Sequence, residues 1–127
     1  MISEAESAVA TIRQVVRGDR PWTDLRALGM EAGPPESRCH FLPSFPTETR
    51  VSVHDVARGF LTHLTDAAKL REWAFVMEAL PADLGVESHP AGETVLNALW
   101  SASFGEPLSE EQVAVLEALG EEERSRP

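Results

Sequence analysis

Residues 52–80, SVHDVARGFLTHLTDAAKLREWAFVMEAL, decide the fold. Ser52 followed three residues later by Asp55 is a capping box, in which each side chain accepts the other residue's otherwise unpaired backbone amide. Val53, Val56, Ala57, Phe60, Leu61 and Leu64 then recur at helical spacing. After a turn at Thr65 and Asp66, Leu70, Trp73, Ala74, Met77 and Leu80 repeat the pattern until Pro81 stops it. So short a connection makes the two helices an antiparallel pair.

Toward the N-terminus, Ser3 with Glu6 predicts a capped helix with apolar positions Val9, Ile12, Val15 and Val16, ending at Gly18. Pro21 suits the first turn of a shorter helix whose face is Trp22, Leu25 and Leu28, closed by Gly29. Between Met30 and Arg50 the prolines 34, 35, 43 and 46 forbid a helix, and only Cys39–Leu42 and Arg50–Val53 have strand character. Phe41, Leu42 and Phe45 favour packing of this arm on the helices. Toward the C-terminus, Pro90 opens a helix whose expected inward face is Leu96, Leu99 and Trp100, with Val95 and Phe104 at its edges and Gly105 as its end. Ser109 with Gln112 caps a last helix through Val113, Leu116 and Leu119, which Gly120 is expected to close.

These segments predict a mainly α fold: a compact bundle or orthogonal array of about five to six helices, with a proline-rich irregular arm that has room for one short β-hairpin. Residues 1–120 read as a single helical domain with the arm at 30–51, and residues 121–127 as a flexible acidic tail. A chain of 127 residues with 43% hydrophobic content is large and apolar enough to build a core. One cysteine excludes an internal disulfide framework, and no charged-then-apolar leader or long apolar run is visible, so a cytoplasmic location is expected.

The charge is unevenly placed. Residues 1–63 carry seven Arg against eight acids (net −1), and residues 64–127 carry four bases against thirteen acids (net −9). A net charge of −10 with a single Lys excludes nucleic acid and anionic membranes as natural partners, because neutralising phosphates needs clustered cations. Glu72, Glu78, Asp83, Glu87 and Glu93 fall close enough in sequence to merge into one negative face if their helices are neighbours, with Phe41 and Phe45 of the arm as apolar anchors. Against this, acids in first helical turns already complement the helix dipole, and a solvated surface accounts for them equally simply.

The histidines show no metal-binding spacing: His54 and His63 lie about two and a half turns apart, and His40 and His89 stand alone, His89 directly before Pro90. Cys39 beside His40 is not a nucleophile–base pair, since neighbours on an extended segment point to opposite sides. Trp22, Trp73 and Trp100 read as core side chains. No catalytic residue, metal or cofactor is therefore expected. The leading functional expectation is a non-enzymatic acidic module that binds a basic protein partner, such as an inhibitor or immunity-type protein covering a basic toxin. A self-associating structural or accessory subunit, as a homodimer, is the alternative, and a small enzyme using a histidine–carboxylate pair is third.

Overall fold

The computed structural model describes residues 4–34, 38–46 and 49–125. In chain order it contains α1 (Glu4–Val16), a 3-10 helix (Trp22–Leu28), β1 (Met30–Ala32), β2 (His40–Phe41), α2 (Val53–His63), α3 (Ala67–Ala79), α4 (Gly92–Ser103) and α5 (Glu110–Arg124). The fold is mainly helical with one small antiparallel hairpin, as the periodicity and the prolines imply.

The helix ends follow local chemistry. Ser52 Oγ accepts the Asp55 amide at 3.1 Å while the Asp55 carboxylate accepts the Ser52 amide at 2.9 Å. Ser109 and Gln112 repeat the arrangement at the start of α5, and Asp66 caps α3 by accepting the Lys69 amide at 3.2 Å. At the other end of α1, Gly18 takes φ +81°, so that the Asp19 amide reaches the Gln14 carbonyl at 2.8 Å and the Gly18 amide reaches Val15 at 3.1 Å. These bonds satisfy carbonyls that would otherwise lack partners. Ser3, the expected cap of α1, lies outside the described residues.

Helix α2 is the hub, touching each of the other four α-helices. Val53, Val56, Ala57 and Phe60 of α2 meet Ile12, Val15 and Val16 of α1, Trp73 and Met77 of α3, Leu99 of α4 and Leu116 of α5 in one buried cluster. Trp73, 1% exposed, is edge-on to Phe60 with ring centroids 5.0 Å apart and donates its indole N–H to the Val15 carbonyl at 3.2 Å. That bond gives a buried polar group its partner and fixes the end of α1 against α3. The short turn after His63 joins α2 to α3, but the more extensive packing is α3 on α4 and α2 on α5.

Three expectations need correction. First, β2 falls within the expected Cys39–Leu42 run, but its partner is Met30–Ala32 rather than Arg50–Val53. Gly29 at φ +120° turns the chain so that Met30 and Ala32 face inward, while Arg50 forms only an isolated bridge to Asp83 and Val53 already opens α2. The arm is packed: Met30 and Phe45 are each 3% exposed, and Phe41 meets Phe45 edge-on at 4.6 Å.

Second, α5 does not stop at Gly120 but runs to Arg124. Gly120 there acts as a spacer, since a Cβ on it would come 3.1 Å from Leu61 of α2, and Glu122 and Glu123 hold the last turn through side-chain contacts. Third, the buried face of α4 is Val95, Ala98, Leu99 and Ala102, while Leu96, Trp100 and Phe104 point outward at 44%, 60% and 58% exposure. Both stripes have helical spacing, so periodicity alone could not choose between them.

Candidate docking surface

Leu96, Trp100 and Phe104 are four residues apart in sequence and form one outward stripe along α4, with the Trp100 and Phe104 rings edge-on at 5.0 Å. A groove of about 780 Å³ is lined by Trp100 and Phe104 together with Arg71, Glu72, Phe75 and Glu78 of α3 and Pro34 and Cys39 of the arm. A second groove of about 480 Å³ lies along Leu96, where Glu78, Asp83 and Glu87 line it with Leu80, Leu84 and Val86. Glu78 belongs to both grooves. Burial of its carboxyl against the groove walls raises its pKa.

Glu72, Glu78, Asp83 and Glu87 therefore gather around this stripe, and Glu93 is exposed one turn before Leu96. Among the described residues, none of these five carboxylates has a basic side chain within 4.0 Å. The two grooves hold four acids and one base, Arg71. Phe41 and Phe45 are not part of them, and Phe45 is a core residue. The exposed large apolar side chains beside the grooves belong to α4 and its C-terminal end, where sequence reading assigned Leu96 and Trp100 to the interior. The available signal was a second apolar spacing, 96–100–104, on a helix with few polar residues.

Among the described residues, the ion pairs are concentrated elsewhere, where α1, α2 and α5 meet. Arg17 donates to both carboxylate oxygens of Glu123, at 2.7 and 2.9 Å, and to Asp55, which is 2% exposed. Arg58 adds contacts to Asp19 at 3.2 Å and to Glu123 at 4.0 Å, and Arg13 lies 3.5 Å from Asp55. The hydrogen bond from Arg17 depresses the pKa of Glu123 against the opposing effect of burial. For Asp55, burial acts upward, but the Ser52 amide together with Arg17 and Arg13 outweighs it and holds the carboxyl below its ordinary value.

A carboxylate with a depressed folded-state pKa stabilises the fold above its unfolded pKa, and that contribution is lost as pH falls through the folded value. With ordinary values of 3.8 for Asp and 4.5 for Glu, stability is expected to fall steeply below about pH 4.5. Urea midpoints followed by circular dichroism between about pH 3 and 7 check this. An Arg17→Met variant should show a flatter dependence, chiefly through Glu123, because Asp55 keeps the Ser52 amide.

The histidines separate into three settings. His63 packs on Trp73 with centroids 5.7 Å apart, and burial, aided by Lys69, lowers its pKa. His40 is exposed, 4.0 Å from Glu31. His54 and His89, 35 positions apart, meet at the end of α5: the His54 Nε2 is 2.8 Å and the His89 Nε2 3.9 Å from Glu122 Oε2, with the two rings perpendicular at 5.4 Å. Sequence spacing gave no sign of this meeting. Cys39 is a protonated thiol, pushed up to about 11 by burial and 3.7 Å from the Met30 sulfur, which does not suit a nucleophile.

No family model, curated protein or solved structure matches this chain. Among the described residues, no helix is long and apolar enough to cross a membrane.

Proposed function

We propose that this protein is a non-enzymatic protein-binding module whose α3–α4 face receives a segment of one partner protein that is both basic and apolar. The observation that carries this reading is the coincidence, on one face, of three exposed large apolar side chains with carboxylates that have no ion-pair partner among the described residues. Exposed Trp beside other apolar groups is the usual composition of an interface anchor, and a rim of one charge steers a partner of the opposite charge. The concrete form is an inhibitor or immunity-type protein: its acids would occupy a basic protein's phosphate-binding cleft while Trp100 and Phe104 fill an adjacent apolar recess.

Steering and anchoring are separable. Charges exposed at a rim are screened when the Debye length shortens from about 10 Å at 0.1 M salt to about 3 Å at 1 M, whereas burial of Trp100 is not. The test is capture from host lysate at both salts by the wild-type chain and by a variant carrying Glu72→Lys, Glu78→Lys, Asp83→Lys and Glu87→Lys. The expected result is a basic protein retained by the wild type at low salt, released at high salt and lost with the variant. Retention of the same protein by the charge-reversed chain contradicts the proposal, as does recovery of salt-insensitive copies of the bait alone, which fits a homodimer. With the partner identified, Trp100→Ser should weaken binding by at least about 2 kcal/mol, roughly thirtyfold. The same change should leave folding stability within about 0.5 kcal/mol, measured by urea unfolding, because the side chain is mostly exposed.

A further inference from the structure

We propose that His54, His89 and Glu122 form a binding site for a late first-row divalent cation such as Zn²⁺. The site is independent of the docking face. Its three donors come from three separate parts of the fold: the first turn of α2, the loop before α4 and the last turn of α5. One donor atom from each lies within 4.8 Å of the others. Tetrahedral coordination with bonds of about 2.0–2.1 Å sets donors roughly 3.3 to 3.4 Å apart. The 2.8 Å contact between His54 Nε2 and Glu122 must therefore open slightly, the 3.9 Å contact from His89 must close by about half an ångström, and the two imidazole donors, which lie within 4.8 Å of each other, must come to the same spacing.

The surroundings suit such a site. His54 is 6% exposed and held on the rigid start of α2, His89 is 26% exposed, and the Glu122 side chain is 54% exposed, so one side opens to water that can complete the coordination. The perpendicular rings aim two nitrogens at one carboxylate oxygen without stacking. Two imidazoles with one carboxylate favour zinc, nickel or copper over magnesium or calcium, which prefer all-oxygen shells.

Proton placement sets the local cost. His89 Nδ1 accepts the Ala91 amide at 3.0 Å, so the neutral ring carries its proton on Nε2, toward Glu122. His54 likewise donates from Nε2 to the Glu122 carboxylate. On binding, each ring moves its proton from Nε2 to Nδ1 and the metal takes the vacated lone pair, with no net proton release from the neutral rings. The His89 ring must then swing so that its new Nδ1–H no longer faces the Ala91 amide 3.0 Å away, and the lost hydrogen bond is part of the cost of binding.

The experiment is calorimetric titration of Zn²⁺ into the tag-free full chain, together with NMR of the histidine rings. The expected result is saturable one-to-one binding that shifts the ring signals of His54 and His89 and leaves those of His40 and His63 in place. His89→Ala and Glu122→Gln should each weaken binding by about tenfold or more, with unfolding temperatures of the metal-free variants confirming that they fold. Absence of saturable binding, equal affinity in both variants, or perturbation centred on His40 or His63 overturns the assignment.

Discussion

Replacing Arg17 by methionine should lower the free energy of unfolding by about 3 kcal/mol, the low end of the roughly 3 to 5 kcal/mol that follows removal of one partner from a buried ion pair. The guanidinium side chain is 15% exposed and bridges Asp55, at 2%, to Glu123, at 29%. Methionine keeps much of the stem's packing volume, so the loss reports charge rather than a cavity. Asp55 would be left in the interior, still accepting the Ser52 amide and still 3.5 Å from the exposed Arg13, and these remaining partners hold the loss at the low end. Glu123 would lose both of its short bonds, loosening the last turn of α5. Urea unfolding gives the magnitude. A double-mutant cycle with Glu123→Gln should show a coupling of at least about 1 kcal/mol, since the two side chains share a bidentate contact. Equal stability of Arg17→Met and wild type would show that the network does not hold these three helices together.

Gly59→Ala should cost about 2 kcal/mol net, since roughly 3 kcal/mol of overpacking is offset by the roughly 1 kcal/mol by which alanine is intrinsically favoured over glycine inside a helix such as α2. Propensity and packing oppose each other here, and distance decides between them. A Cβ at position 59 would stand 2.0 Å from the Val16 carbonyl oxygen and 2.3 Å from the Trp73 ring. Real Cβ atoms do not approach so closely, so α1 must back away from α2 or Trp73 must rotate. Either movement disturbs the indole hydrogen bond to Val15 and the buried Phe60–Trp73 contact. Overpacking of a core costs about 1–3 kcal/mol, and a clash with main chain belongs at the upper end because backbone cannot change rotamer. Chemical denaturation measures the loss, and near-ultraviolet dichroism of Trp73 should change with it. A stabilised Gly59→Ala protein would mean that α1 and α2 do not cross at this glycine.

The features legible in the sequence were those made by neighbours along the chain. Ser52 with Asp55 and Ser109 with Gln112 mark the starts of α2 and α5 because a cap needs residues only three apart, and Gly18, Gly29 and Gly105 mark ends because each takes a positive φ. Gly120 carries the same signature and means something different: it admits Leu61, and the helix continues because Glu122 and Glu123 find partners 68 and 106 positions away. Helix α4 was ambiguous for another reason. Val95–Ala98–Leu99–Ala102 and Leu96–Trp100–Phe104 both satisfy helical spacing, and only the docking of α3 selects the first for burial. Charge counting located the acids around the grooves, since composition survives folding. It could not reveal which acids are paired internally, because Arg17, Asp55 and Glu123 meet only in three dimensions.

The most direct test of the docking surface is site-specific photo-crosslinking. A benzophenone side chain is placed at position 100 in one chain and at position 10, on an exposed part of α1, in another. Each is irradiated in host lysate and its adducts are identified by mass spectrometry. The account predicts one dominant basic protein joined at position 100, suppressed by high salt, and absent from the chain labelled at position 10. Adducts of the chain with itself at position 100, or the same adducts from both positions, would contradict it.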